Sequence, residues 1–287
     1  MIDLHTHSIY SDGTETPKEL VTRAVTAHLI AFAVADHDTV AGQAEAMRAG
    51  EELGMRVIPA IEMTVDFHDG HIHILGYGFD THNRELLDAL ERRANQRKQN
   101  FYEKVKMANK RLKTAGRGVL NADELLENIH GSPGRPHIAY EILRKGWAKT
   151  FREAFDTYLL DYAPKTPAFA VGEAIGLIHN AGGIAVLAHP GSNEIGLRRF
   201  VKDEQEERNV FEELKAVGLD GVEAYTPAHT PSLISNYLSL ARDLQLMVTG
   251  GTDWHGPSFD APAPGEFAVP DWIMDDLIKG DKGHKQL

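Results

Sequence analysis

A chain of 287 residues, 42% hydrophobic and 25% charged, has an ordinary globular composition, and its length suits either two domains or one α/β barrel carrying an insertion. Thirty Lys and Arg against 42 Asp and Glu give a net charge of -12, which argues against a broad basic face for duplex DNA and requires any anionic substrate to be attracted locally. The absence of Cys excludes disulfide scaffolds, thiolate zinc sites and cysteine nucleophiles, and no apolar run approaches a membrane span, so a cytoplasmic protein without a membrane partner is expected.

Seven short apolar runs read as buried strands: Ile2 to Thr6, Ile30 to Ala35, Arg56 to Ile61, His71 to Tyr77, Gly183 to Ala188, Gly221 to Tyr225 and Leu246 to Thr249. Helix signals lie between them. The clearest is Thr16-Pro17-Lys18-Glu19, with Thr as N-cap, Pro at N1 and Glu at N3, ahead of Leu20, Val21, Ala24 and Val25. Further helices are expected over Val40 to Leu53 with Gly54 as stop, Val171 to Asn180, Glu206 to Ala216 and Pro231 to Leu244. Strands alternating with helices predict a parallel sheet, and seven of them predict a barrel.

From Asn83 to Pro167 the alternation stops, and Leu90, Ala94, Phe101, Val105, Ala108 and Leu112 keep helical spacing. The expected organisation is therefore a barrel of residues 1–82 and 168–287, interrupted by a helical insertion over 83–167. Arg92 to Arg117 carries ten Lys and Arg and one acid, Glu103. Within that run Lys98 falls on the stripe of Ala94 and Phe101, which aims its ammonium at whatever the helix packs against. The insertion ends in Gly131-Ser132-Pro133-Gly134-Arg135-Pro136-His137.

The strand ends carry metal-ligand residue types: His5 and His7, Asp36-His37-Asp38, Glu62, His73, His189 and Asp253-Trp254-His255. In a parallel barrel such ends meet at one mouth, and residues i and i+2 of a strand share a face, so His5 and His7 can address one centre. Burying so many ionisable groups without a metal would cost several kcal/mol each.

In their order, His5-Thr6-His7-Ser8-Ile9-Tyr10-Ser11-Asp12-Gly13, Ala35-Asp36-His37-Asp38, Glu62, His73-Ile74-Leu75-Gly76-Tyr77, Ala188-His189-Pro190 and Thr252-Asp253-Trp254-His255 resemble the motifs of the PHP (polymerase and histidinol phosphatase) superfamily. The insertion ending in Gly134-Arg135-Pro136-His137 is similar to the subgroup of nucleoside 3',5'-bisphosphate phosphatases and a 5'-3' exoribonuclease. The resemblance implies a distorted (β/α)7 barrel with three divalent ions at its mouth. By motif position, His5, His7, Glu62 and Asp253 would hold one ion, and Glu62 would bridge to a second on His73 and His189. Asp12, His37 and His255 would hold the third. These nitrogen and oxygen donors suit Mn, Fe or Zn, with Mn favoured by the resemblance. His68, His82, His130, His179, His229 and His284 match no motif and read as surface or core residues.

Three carboxylates and three divalent ions leave the loaded site at about +3, which attracts phosphate. The implied chemistry is in-line attack on phosphorus by a metal-bound hydroxide, with no protein nucleophile. Lys98, Arg117, Ser132, Arg135 and His137 are the candidates for a second, non-reacting phosphate, so the expected reaction removes the 3'-phosphate of a nucleoside 3',5'-bisphosphate. Other readings are an exonuclease on short single-stranded RNA, a histidinol or other phosphomonoesterase, and a non-hydrolytic nucleotide sensor. Trp254 and Tyr225 sit where a base could stack, although aromatics beside a strand end usually serve packing.

Overall fold

A computed structural model of the chain describes residues 1–159, 168–257, 259 and 261–280; His284 and the end of the expected insertion lie outside them. Among the described residues six strands form one sheet: β1 (Ala60–Phe67), β2 (Gly70–Tyr77), β3 (Phe169–Ala170), β4 (Ile184–Leu187), β5 (Gly221–Tyr225) and β6 (Met247–Gly250), in the order β3-β1-β2-β4-β5-β6. The sheet is mixed, which corrects the parallel expectation. β2 runs antiparallel to both β1 and β4, whereas β1 with β3, β4 with β5 and β5 with β6 are parallel. The reason is connection length. Only His68 and Asp69 separate β1 from β2, far too few for a crossover, so the chain must turn back on itself, with His68 in the left-handed region at φ 48°.

Ile2 to Thr6 and Ile30 to Ala35, expected as strands, lie instead in extended segments, residues 2–7 and 31–37, held by isolated bridges, Asp3 with Phe32, Phe32 with Val57, His37 with Glu62 and Thr6 with Trp254. The ladder is interrupted where the His5 N–H turns to the Asp3 carboxylate (3.3 Å). Backbone bonds still connect these segments to their neighbours: Leu4 N–H donates to the Gly250 carbonyl, Asp3 N–H to Ala31 and Ile58 N–H to Phe32.

Helix α1 (Pro17–Thr26) has the expected capping box, the Glu19 N–H donating to the Thr16 hydroxyl and the Thr16 N–H to the Glu19 carboxylate. α2 (Gln43–Leu53) ends at Gly54, whose φ of 69° supplies the left-handed stop. It starts three residues later than the periodicity suggests, because Gln43 turns inward and its amide donates to the carbonyls of Val34 and Ala60. Among the described residues four helices lie between β2 and β3: α3 (Arg84–Thr114), α4 (Ala122–Glu127), α5 (Arg135–Arg144) and α6 (Phe151–Tyr158). After it come α7 (Val171–Asn180), α8 (Glu204–Ala216), α9 (Pro231–Leu244) and α10 (Ile273–Gly280). None of the described helices is long and apolar enough to cross a membrane.

The 31 residues of α3 span roughly 46 Å and connect two cores. Leu86, Ala89 and Leu90 pack with the sheet and α7, in the core of Ile61, Met63, Val186 and Val222. Phe101, Val105, Ala108 and Leu112 pack with Leu120, Ile138, Ile142 and Ala154, an apolar cluster drawn wholly from residues 101–159. Between the halves, Arg93 and Arg97 occupy the buried side. The Arg93 Nε donates to Asp38 Oδ2 at 3.1 Å and the Arg97 Nη1 to the same oxygen at 2.6 Å, while Asp38 Oδ1 accepts the Thr64 N–H.

Burial opposes charge on Asp38, but Arg97 and Arg93 outweigh it and hold the carboxyl down at about 2. Because that value lies below the unfolded one, the pair stabilises the fold above about pH 4 and the contribution is lost as pH falls toward 2. Asp38→Asn should cost about 2 to 4 kcal/mol at pH 7 in denaturant unfolding and should flatten the stability profile between pH 4 and 2. An unchanged profile would show that the two guanidinium groups do not depend on this carboxylate.

Candidate metal centre

The sheet and its extended segments bring the nine expected ligands into one cluster. His5 and His7, alternate residues of one extended segment, are fully buried side by side, with ring centroids 5.1 Å apart. Their Nε2 atoms each lie 3.2 Å from Glu62 Oε2, and 3.5 and 3.1 Å from Asp253 Oδ1. Glu62 reaches the remaining imidazoles from β1. Its Oε2 is 3.1 Å from His37 Nδ1, and its Oε1 is 2.8 Å from His73 Nδ1 and 2.9 Å from His189 Nε2. Asp12 Oδ1 lies 3.3 Å from His255 Nε2, and Asp12 Oδ2 lies 3.8 Å from His37 Nε2.

Donor atoms of eight of the nine fall into three overlapping groups, each within 4.8 Å: His5, His7, Glu62 and Asp253; His7, Asp12, His37 and His255; and His37, Glu62 and His73, where His37 stands in place of the expected His189, which meets Glu62 outside them. This differs in detail from the motif assignment, because His37 spans two groups and His7 joins two. Neither Glu62 nor His73 stands at a strand end, since the hairpin carries β1 on past Glu62 and β2 back across the mouth. Each nonetheless points inward by the alternation of its strand.

The chemistry of this donor set fits divalent cations. His5 Nε2, His7 Nε2, Asp12 Oδ1, His37 Nδ1 and Glu62 Oε2 are buried and have no hydrogen-bond partner, although they face one another at contact distance. Left so, they would cost several kcal/mol. Burial keeps the His37 imidazole neutral, pushing it down to about 3 despite Glu62 and Asp12, which is the ligating form. Burial also disfavours a charged Glu62 and Asp12, yet the surrounding imidazoles hold both carboxyls well below their usual range. At His7 burial opposes protonation, but Asp253 and Glu62 outweigh it and raise the ring to about 10, a measure of the negative potential offered to a cation.

Residues not singled out in the sequence hold the ligands in place. Glu223, fully buried on β5, accepts the His5 Nδ1 proton at 3.0 Å through one oxygen and the His189 N–H at 2.8 Å through the other. One carboxylate thus orients two ligands and leaves His5 Nε2 for the cluster. The only signal for it was an acid inside the apolar run Gly221-Val222-Glu223-Ala224-Tyr225. His229 is a buried brace, its Nδ1 donating to the Ala224 carbonyl and its Nε2 accepting the Gly191 N–H just beyond His189. Asp36 accepts from the Ser8 N–H and the Ser8 and Ser11 hydroxyls, which fixes the loop leading to Asp12. His189, Asp253 and Asp38 have φ of 28°, 54° and 52°, left-handed backbone that the site holds in place.

Two of the five expected substrate contacts, Ser132 and His137, lie beside the loop that carries Asp12, and a third, Arg135, adjoins them in sequence at the start of α5. The Ser132 N–H donates to the Tyr10 carbonyl, and its hydroxyl is buried without a partner. Gly131 is required here, since a Cβ would overlap the Tyr10 oxygen. His137 Nδ1 accepts the Gly134 N–H, and burial lowers its basicity within reach of the charges of Asp12 and Arg97. Arg135, the first residue of α5, lies over the Phe155 ring at 4.9 Å.

The structure does not bring in the other two. Lys98 is exposed, as is Ala94, because the buried side of α3 runs through Arg93, Arg97 and Phe101, one helical step away from the stripe chosen by apolar spacing. Arg117 is exposed beyond the far end of α3, roughly 25 Å along the helix from Arg97. Trp254 is packed, its indole donating to Glu15, so it offers no free stacking face.

Glu223→Ala should weaken divalent metal binding about 10- to 100-fold in a calorimetric titration with Mn, with Glu223→Gln intermediate. Full affinity in the alanine variant would show that His5 and His189 need no such support.

Residues 3–164 match the family model of the PHP domain. The chain is 31% identical over 262 residues to a 5'-3' exoribonuclease of Haemophilus influenzae, covering 89% of this chain and 90% of that protein. It is 29% identical over 270 residues to a 3',5'-nucleoside bisphosphate phosphatase of Chromobacterium violaceum, covering 89% and 87%. The crystal structure of a proposed metal-dependent phosphoesterase of Bifidobacterium adolescentis superposes with a TM-score of 0.83 at 30% identity, over 97% of this chain and 96% of that one. A family match over more than half of the sequence, near-complete coverage by relatives and a His and carboxylate cluster fit for divalent cations identify the chain as a metal-dependent phosphoesterase of the PHP domain family.

Proposed function

We propose that the enzyme removes the 3'-phosphate of nucleoside 3',5'-bisphosphates, such as adenosine 3',5'-bisphosphate, leaving the 5'-monophosphate. The observation that carries this reading is a set of polar groups at the start of α5, close to the loop that carries Asp12. At the start of α5, His137 lies within reach of the charges of Asp12 and Arg97, the Ser132 hydroxyl just before it is buried without a partner, and Arg135 is the first residue of the helix. Helix N–H groups and a guanidinium suit a terminal phosphate that is held but not cleaved. The similarity to a bisphosphate phosphatase agrees with it.

The nine clustered residues would hold three divalent ions, for which we favour Mn. Bound there, such ions supply a water nucleophile at neutral pH and stabilise charge on the phosphoryl oxygens. The chain supplies placement. Glu223 and His229 hold the His189 segment, and Asp36 ties up the hydroxyls of Ser8 and Ser11, so neither serine is free to act as a nucleophile. Ser132, Arg135 and His137 would fix the 5'-phosphate so that the 3'-phosphate meets the cluster.

The architecture we favour is a distorted seven-stranded barrel, supported by the backbone bonds that run from β6 to residues 2–7, on to residues 31–37 and back to β1. Residues 83–167 would form a helical insertion over its mouth, for which the separate apolar cluster speaks. A second reading, 5'-3' exoribonuclease activity on short single strands, is favoured by the Haemophilus relative and the cationic side of α3.

With Arg135→Ala, kcat/KM for a nucleoside 3',5'-bisphosphate should fall at least about 10-fold, against less than about 3-fold for a simple phosphomonoester. Equal losses would contradict the assigned 5'-phosphate contact. On wild-type enzyme, inorganic phosphate from the bisphosphate should be released faster than mononucleotides from a 5'-phosphorylated oligomer; the reverse order would favour the exonuclease.

A further inference from the structure

Helix α5 turns a second residue toward the metal cluster. Tyr140 follows His137 by three positions, so the two share the side of α5 that meets the loop of Asp12. Its ring packs on Phe151 and Phe259, with centroids 5.0 and 5.6 Å away, and Phe259 in turn lies 4.9 Å from the ring of His255. An aromatic wall therefore runs from α5 to the donor group of His7, Asp12, His37 and His255. Within it the Tyr140 hydroxyl is buried and has no hydrogen-bond partner among the described residues; it feels the charge of Asp12 without bonding to it. Asp12 Oδ1 is buried and unpartnered as well. Phenylalanine would fill the same place, as it does at 151 and 259, without the cost of an unpaired buried hydroxyl. Burial first, then Asp12, push the phenol above its ordinary range, so it keeps its proton to donate. The cluster is reached from solvent at Asp12, His37 and His255, whose side chains are 12 to 13% exposed, and at Asp253, at 25%, whereas His5 and His7 are sealed.

We propose that Tyr140 is a substrate-binding residue, whose hydroxyl donates a hydrogen bond to an oxygen of the phosphate under attack beside Asp12 and His255. A phenol that holds its proton needs an acceptor, and a charged phosphoryl oxygen accepts more strongly than a neutral group. Phe151 and Phe259 fix the ring and keep water from competing for its hydroxyl, which strengthens the bond. No proton leaves Tyr140 and no covalent bond to it forms; the residue holds the phosphate in place. The inference rests on the phosphoesterase reading of the cluster and is independent of which nucleotide carries the phosphate. It gives α5 two tasks, with Ser132, Arg135 and His137 at its start for the 5'-phosphate and Tyr140, one turn on, for the reacting one.

The test is calorimetric titration of the Mn-loaded protein with inorganic phosphate, the product common to every phosphomonoester. Tyr140→Phe should bind phosphate about 10-fold or more weakly than the wild type while binding Mn within about 2-fold of it. Since the substitution removes only a buried, unpaired hydroxyl, its melting temperature without phosphate should equal or exceed that of the wild type. In turnover, kcat/KM should fall by a similar factor, about 10-fold, for a nucleoside 3',5'-bisphosphate and for a simple phosphomonoester. Unchanged phosphate affinity in Tyr140→Phe, or no measurable phosphate binding by the wild type, would overturn the proposal. So would a lower melting temperature, which would give the hydroxyl a partner within the fold, or a loss confined to the bisphosphate, which would move Tyr140 to the 5'-phosphate. Phosphate binding that depends on Tyr140 in an enzyme inactive on nucleoside 3',5'-bisphosphates would support the contact and overturn the proposed reaction instead.

Discussion

The side chain of Glu62 is fully buried, and its two oxygens face five imidazoles, those of His5, His7 and His37 on one side and those of His73 and His189 on the other. A carboxylate so placed is stable only if the surrounding nitrogens share positive charge with it, and neutral imidazoles do not supply enough. Cations between them do. Much of the architecture can be understood as what brings these five rings to one acid. The β1–β2 hairpin sets His73 beside Glu62, and the segment at residues 2–7 lies between β6 and residues 31–37, so that it presents two alternate rings inward.

Around that centre the protein spends its buried polar groups on orientation. Glu223, Asp36 and His229 touch backbone or ring atoms next to the ligands, and each is satisfied by hydrogen bonds. Asp38 does the same one layer further out. By pairing with Arg93 and Arg97 it fastens α3, and with it the second apolar cluster, to the rim of the cluster. The strand of Glu62 and the loop ahead of α5 are thereby joined by one continuous polar network, from Thr64 on β1 through Asp38 and Arg97 to the Pro133 carbonyl.

What could be read in the sequence was mostly what is local. The capping box at Thr16 and Glu19, the glycine stop at Gly54 and the limits of α7 and α9 depend on residues a few positions apart. The candidate ligands stand out in the sequence for a different reason: charged and imidazole side chains in or beside apolar runs conflict with burial unless something pairs with them. Strand direction is not carried by the apolar pattern; the two-residue gap between β1 and β2 decides it. Lys98 follows the apolar stripe and yet is exposed, because the buried side of α3 is completed by two arginines whose partner, Asp38, is more than fifty residues away. Glu223 likewise has its partner His5 at the other end of the chain.

The most direct measurement is the metal content of the purified protein and of Glu62→Gln after loading with Mn and gel filtration, with far-UV circular dichroism to confirm that both are folded. If Glu62 joins the ligand groups, the wild-type protein retains bound metal and the variant loses most of it with its secondary structure unchanged. Equal metal retention by a folded Glu62→Gln variant would contradict the account, because the cluster would then be held together without its central carboxylate.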